Sequence, residues 1–294
     1  MINLLFLTII QLFGSQIFNY SMCLQSFSVE LEDFYTNLTD LIEETYAINS
    51  NTSCVLICHS MGCPVILYYL YKRDSKWKDT YIKSLVTLAG PWGGAVKAIK
   101  AFSSGDNLGV IVIPALTIRK DERTFPSLAF LLPSDQFWSY DEVIVSTPKK
   151  NYSVSDYKEF FQDINYTTGY EMWLDTKDLI HEMNPPNVEV YCLHGFGIDT
   201  METLAYRESN FPDRAPKITY GDGDGTVNTK SLRGCLKWLG KQSQKIFYQN
   251  FTKVDHMLIM SDAKVIDYLK SIVIKQTPSK SIWKRIVSFF TNLF

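Results

Sequence analysis

The apolar run Val55-Leu56-Ile57-Cys58 breaks into His59-Ser60-Met61-Gly62 and then into a second apolar stretch from Pro64 to Tyr71. A short continuous apolar run fits a strand buried on both faces, and the stretch after it is helix-like, so the chain must turn sharply at Ser60. Such a strand-to-helix corner lifts a serine oxygen clear of a sheet, provided that the residues two before and two after the serine are small enough for helix and strand to approach. Gly62 meets that condition outright. Cys58 stands where glycine is usual, but cysteine is compact and at ease when buried. Ser60 is therefore the candidate nucleophile, although small-x-Ser-x-Gly alone also fits an ordinary strand-to-helix turn.

Around this corner the chain alternates. From Ser28 to Ala47 apolar residues recur at helical spacing (Leu31, Phe34, Leu38, Leu41, Ile42, Tyr46) and lead into the strand Cys54 to Cys58. The helix from Pro64 to Tyr71 is followed by Ser84-Leu-Val-Thr-Leu88, a second buried strand ended by Ala89-Gly90-Pro91. A helix between strands implies a parallel crossover. Residues from about 92 to 186 are rich in aromatics and turn residues without that alternation, and read as a cap inserted into the sheet. Beyond them Val188 to Leu193 and Lys245 to Tyr248 are strand-like, and Asp262 to Ile274 is an amphipathic helix. The expected fold is α/β, a mostly parallel sheet with an inserted cap. The expected organisation is a divergent apolar N-terminus (1–27), a core (28–276) carrying the cap at about 92–186, and a C-terminal extension (277–294).

The two ends read less plainly. Ile2 to Phe13 resembles a signal-peptide apolar region followed by Gly14 and Ser15, but it has no preceding basic residue and no clean small-x-small site, and it fits a buried strand or helix as well. At the other end, Ile282, Ile286, Phe289, Phe290 and Leu293 line one face of a helix-like segment with Lys280, Lys284 and Arg285 beside it. That pattern suits a helix lying on a bilayer or one packed on the protein's own surface.

A formal net charge of −2 without a basic stripe excludes nucleic acid as a natural partner. No Cys/His cluster has metal-ligand spacing, and no cofactor motif is present. Six irregularly spaced cysteines exclude a small disulfide scaffold and leave one or two bridges open. Six Asn-x-Ser/Thr sequons, at Asn19, Asn37, Asn51, Asn151, Asn165 and Asn250, favour a lysosomal or secreted destination.

A serine nucleophile needs a base to take its proton and an acid to orient that base. Of four histidines, His59 is adjacent to the serine and should point away from it, while His181 and His194 precede the best acidic loop. His256 lies between the last strand and the last helix, after that loop, and is the expected base. The acid is sought in Gly221-Asp-Gly-Asp-Gly-Thr-Val227, with Asp224 preferred and Asp222 next. Asp-Gly pairs also serve turns alone. A calcium loop is discounted because the expected later glutamate is absent. The backbone N–H of Met61 is one oxyanion donor by construction of the corner. The second has no visible source, because the residues before the elbow strand hold a helix and little more.

With these residues in place, the chain resembles the lecithin:cholesterol acyltransferase family, most nearly its lysosomal (group XV) phospholipase A2 branch. The stretches that carry the resemblance are His59-Ser-Met-Gly62, Pro91-Trp-Gly-Gly94, Ser104-Gly-Asp-Asn107, Phe160-Phe-Gln-Asp163, Phe211-Pro-Asp-Arg214, Gly221-Asp-Gly-Asp-Gly-Thr-Val-Asn228 and His256-Met-Leu258. They cover roughly residues 30 to 275. The resemblance implies an α/β-hydrolase-type fold and a Ser60–His256–Asp224 triad acting without metal or cofactor. It implies transfer of an acyl chain from a glycerophospholipid to water or a lipid alcohol at a membrane surface, a disulfide between Cys192 and Cys235, and, at Trp92, a candidate substrate contact whose alternative is packing of the cap. It also implies that the family's first strands, second oxyanion donor and membrane-contacting lid are missing, so a catalytically impaired lipid-binding homologue is the alternative. A generic esterase is a weaker one.

Overall fold

The computed structural model describes residues 3–7, 27–106, 114–207 and 209–275. Nine strands occur among them in chain order: β1 (Asn3–Leu7), β2 (Cys54–His59), β3 (Ile82–Leu88), β4 (Val145–Ser146), β5 (Asn151–Tyr152), β6 (Val190–Phe196), β7 (Ile198–Ala205), β8 (Lys217–Gly223) and β9 (Ile246–Thr252). Five form a parallel sheet in the order β1-β2-β3-β6-β9. All six residues of β2 are buried, as a strand covered on both faces requires. Its alternate side chains go to opposite faces, which is the two-residue period of a strand. Cys54, Leu56 and Cys58 join a core built with the helices Phe27–Ile48 and Gly62–Tyr71. Val55 and Ile57 join a second core with Val86, Leu88, Leu193 and Phe251, closed by Val265, Leu269 and Ile272 of the helix Ala263–Lys275.

The helix Phe27–Ile48 is amphipathic in the expected sense: Leu31, Tyr35, Leu38 and Ile42 are buried on one stripe. The chain before β2 holds more than the expected helix, because Asn3–Leu7 pairs in parallel with β2, Leu5 opposite Leu56. So short an apolar run as Leu4–Leu7 cannot be told from part of a leader segment by periodicity, and pairing with β2 is what makes it a strand. The segment 277–294, with its amphipathic pattern, lies outside the described residues.

A second sheet, ordered β5-β4-β7-β8, sits apart from the first. Its two short strands come from between β3 and β6, while β7 and β8 form an antiparallel ribbon from beyond residue 196. With the helices Val96–Ser104, Tyr157–Asp163 and Thr167–Thr176 it encloses a third core around Phe102, Trp138, Phe160 and Phe161. Cys192 of β6 is joined by a disulfide to Cys235, in the 3₁₀ turn Arg233–Trp238.

Leu56 is fully buried at the centre of β2, one strand from either neighbour. Replacing it with alanine is expected to cost about 2–5 kcal/mol of stability. A urea titration of the Leu56→Ala variant, read as a lowered midpoint with unchanged slope, checks this.

Candidate active site

β2 ends at His59, and Ser60 turns the chain with φ of 52°, in the left-handed region. A non-glycine residue there costs roughly 1–2 kcal/mol, so the corner must be held from outside. It is held on both sides: the Ser60 amide donates to the Leu88 carbonyl of β3 at 2.9 Å, and the Cys63 amide donates back to the Ser60 carbonyl at 2.9 Å. Met61 then caps the helix Gly62–Tyr71, which sets its amide at the positive end of that helix.

The acid comes from the loop after β8. Gly225 has φ of +89°, and a Cβ on Gly223 would stand 2.3 Å from the Val227 carbonyl oxygen, so both glycines answer to backbone geometry. The tight loop buries Asp224 completely. Its Oδ1 accepts the amides of Thr226 (3.1 Å) and Val227 (2.8 Å), and its Oδ2 faces His256 Nδ1 at 2.7 Å. The His256 amide also donates to the Asp224 carbonyl at 2.9 Å. A carboxylate can only accept, so Nδ1 carries the proton and Nε2 is left as the acceptor. That Nε2 lies 2.8 Å from Ser60 Oγ. Beyond it Asp255 Oδ1 accepts the amides of Met257 and Leu258 at 2.8 and 3.2 Å, bracing the turn that carries the imidazole.

The fold thus brings Ser60, Asp224, His256 and Met61 together from segments up to 196 residues apart. Asp222, the second choice for the acid, does not join them. It lies within β8, where its carboxylate accepts the Gly197 amide at 2.7 Å and the Thr229 hydroxyl at 2.6 Å. Residues two apart in a strand share a face, and what separates the two aspartates is the end of β8 at Gly223: Asp222 stays on the exposed strand while the loop turns Asp224 inward. His181 is engaged with Asp135 at 2.7 Å, and His194 bonds Tyr248 Oη at 2.7 Å and lies 2.7 Å from the Gly195 carbonyl.

His59 makes no bond to Ser60, and its destination was invisible in the sequence. Its Nε2 donates to the His256 carbonyl at 2.8 Å, and the two rings lie 5.1 Å apart. Burial, helped by the neighbouring His256, pushes its pKa down to about 4. The neutral ring therefore ties the strand before the serine to the backbone of the base. The signal that could have found it is the histidine itself: a polar ring in a fully buried strand needs a partner.

Trp92 packs edge-on against Trp238, ring centroids 4.8 Å apart, and is 3% exposed. It also lines a cavity of about 340 Å³ between the first and third cores, with Phe137, Tyr157, Trp173 and Met183 among the other walls. Among the described residues no group of three or more His, Cys, Asp or Glu could hold a metal ion, and no helix is long and apolar enough to cross a membrane.

Residues 25–270 match the lecithin:cholesterol acyltransferase family. The lysosomal phospholipase A and acyltransferase of Rattus norvegicus is 40% identical over 83% of this chain and 58% of its own length. That of Homo sapiens is 39% identical over 82% of this chain and 58% of its own. The phosphatidylcholine-sterol acyltransferase of Mus musculus is 35% identical over 83% of this chain and 55% of its own. The chain thus spans little more than half the length of the curated relatives it matches.

A histidine whose folded pKa lies below its ordinary 6.5 binds a proton more weakly than it does in the unfolded chain. Between about pH 6.5 and 4 the unfolded state takes up that proton first, so stability falls as pH falls through this window. A His59→Gln variant keeps a side-chain donor but cannot titrate, and its stability is expected to depend less steeply on pH there. Denaturant midpoints at stepped pH, with an NMR titration placing the His59 ring near pH 4, check both parts.

Proposed function

Because the chain belongs to the lecithin:cholesterol acyltransferase family, we propose that it transfers a fatty acyl group from a glycerophospholipid to water or a lipid alcohol through an acyl-Ser60 intermediate. The observation that carries this reading is the unbroken relay from Asp224 through His256 to Ser60, at 2.7 and 2.8 Å.

In the proposed reaction His256 Nε2 takes the Ser60 proton as Oγ attacks the ester carbonyl carbon. The imidazolium that forms is stabilised by the buried Asp224 carboxylate, itself held by two amides and so fixed without reorganisation. The tetrahedral oxyanion receives the Met61 N–H as one donor. Collapse breaks the bond to the lysophospholipid oxygen, which leaves with the proton from His256. Water or an alcohol then attacks the acyl-serine, giving its proton to His256, and Ser60 is released. Neither metal nor cofactor has a step.

Several features support a lipid surface as the place of action. Met257 and Leu258, directly after the base, are 45% and 60% exposed, placing apolar side chains beside the relay. Trp92, on the wall of the cavity, is the proposed substrate-contact residue, and residues 92–186 are the proposed cap over the sheet. The Cys192–Cys235 disulfide supports an oxidising, secretory route to a lysosomal or secreted destination.

An active-site fluorophosphonate should label Ser60, and labelling should vanish in Ser60→Ala; labelling that survives the substitution overturns the assignment. Asp224→Asn, which forces the wrong imidazole tautomer, should lower kcat by about 10⁴-fold. The assay is fatty acid release from phosphatidylcholine vesicles, with and without an added lipid alcohol. Vesicle binding with no release would favour the lipid-binding reading instead.

A further inference from the structure

Two cysteines flank the nucleophile. Cys58 is the last-but-one residue of β2, and Cys63 lies in the first turn of the helix Gly62–Tyr71. Both are fully buried, and their sulfurs lie 2.8 Å apart. That is shorter than unbonded sulfur atoms adopt in contact, and within about 0.8 Å of an S–S bond length of about 2.05 Å. As free thiols they would have only weak acceptors, the carbonyls of Val86 at 3.6 Å and Leu88 at 3.8 Å. No other described thiol competes for the position. Cys54 lies four residues back along β2, about 13 Å away at the rise of a strand, with its sulfur directed at the Ile42 carbonyl.

We propose that Cys58 and Cys63 form a second disulfide, which closes the strand-to-helix corner across Ser60. The bond forms when the two thiols give up two protons and two electrons to an oxidised disulfide donor, such as glutathione disulfide, which is reduced to two thiols. The Cys192–Cys235 bridge requires the same chemistry. Timing follows from burial. In the finished fold no oxidant reaches either sulfur, and burial together with Cys63 pushes the Cys58 thiol well above its ordinary pKa, so that the attacking thiolate is scarce. The bond is therefore made during folding, before the helix seals the corner, and is afterwards sheltered from reductant.

The ring closed by the bond is only six residues, Cys58 through Cys63, so its entropic contribution through the unfolded chain is small. Its effect is geometric. It fastens the two residues between which Ser60 holds φ of 52°, so the corner does not depend on backbone hydrogen bonds alone. The proposal stands on the cysteine geometry and holds whether or not Ser60 turns over a lipid.

Met61 lies between the two cysteines, which gives a direct test. The full chain, expressed through an oxidising secretory route, is denatured without reductant in excess iodoacetamide and cleaved after methionine with cyanogen bromide. The fragment 23–61 holds Cys23, Cys54 and Cys58, and the fragment 62–172 holds Cys63 as its sole cysteine. The two are expected to travel as one species that separates on reduction, with neither Cys58 nor Cys63 alkylated beforehand. Tandem fragmentation of the linked pair assigns the sulfur in the wild-type protein, so the result does not rest on a variant that folds. Cys58→Ser should abolish the link and Cys54→Ser should keep it. Alkylation of Cys63 in the unreduced protein, or its linkage to Cys23 or Cys54, overturns the proposal.

Discussion

Ser60 occupies a backbone conformation that an L-residue avoids, and much of the surrounding architecture maintains it. The corner needs a rigid strand before it, and β2 is rigid because both its faces are covered by separate cores. It needs a neighbour to accept the serine amide, and β3 ends at the residue whose carbonyl does so. It also needs a helix close behind, which is why Gly62 and the compact Cys58 stand where they do. The strain is local and the support is distributed over the sheet, which is how a reactive conformation persists in a folded chain.

The relay is built by the same economy. Asp224 and His256 belong to different loops, yet the amide of one residue donates to the carbonyl of the other, so their side chains meet over a fixed backbone. His59 adds a third tie, from the strand before the nucleophile to the carbonyl of the base. Nucleophile and base are therefore connected through backbone as well as through the hydrogen bond that would carry the proton. A neutral His59 suits this place, because a charged ring 5.1 Å from His256 would oppose formation of the imidazolium.

Much of this was legible in the residues. The buried strands announce themselves as short apolar runs, the helix Phe27–Ile48 as a stripe from Leu31 to Ile42, and the corner as a serine between small residues. The small second sheet was not legible. Its strands β4 and β5 are two residues each, and β7, Ile198–Ala205, carries Asp199, Thr200, Glu202 and Thr203 on a half-exposed ribbon without an alternating apolar signal. β1 was ambiguous because its four apolar residues suit a leader as well as a buried strand or helix.

What the sequence by itself determined is the chemistry: a serine at a strand-to-helix corner, a glycine-bounded acidic loop, a histidine after it, and the order in which they come. Those are local facts, set by steric demands within a few residues. What only the tertiary structure decided is which partner each group takes. Asp224 rather than Asp222 faces the imidazole because the loop turns one carboxylate into the core while β8 holds the other at its surface. His59 reaches the backbone of His256 because the loop that carries the base packs against β2, and Cys58 meets Cys63 rather than Cys54 because the helix turns back on the strand while Cys54 lies four residues away along it. Contacts between residues distant in the chain depend on how the layers stack, and no short stretch of sequence encodes that.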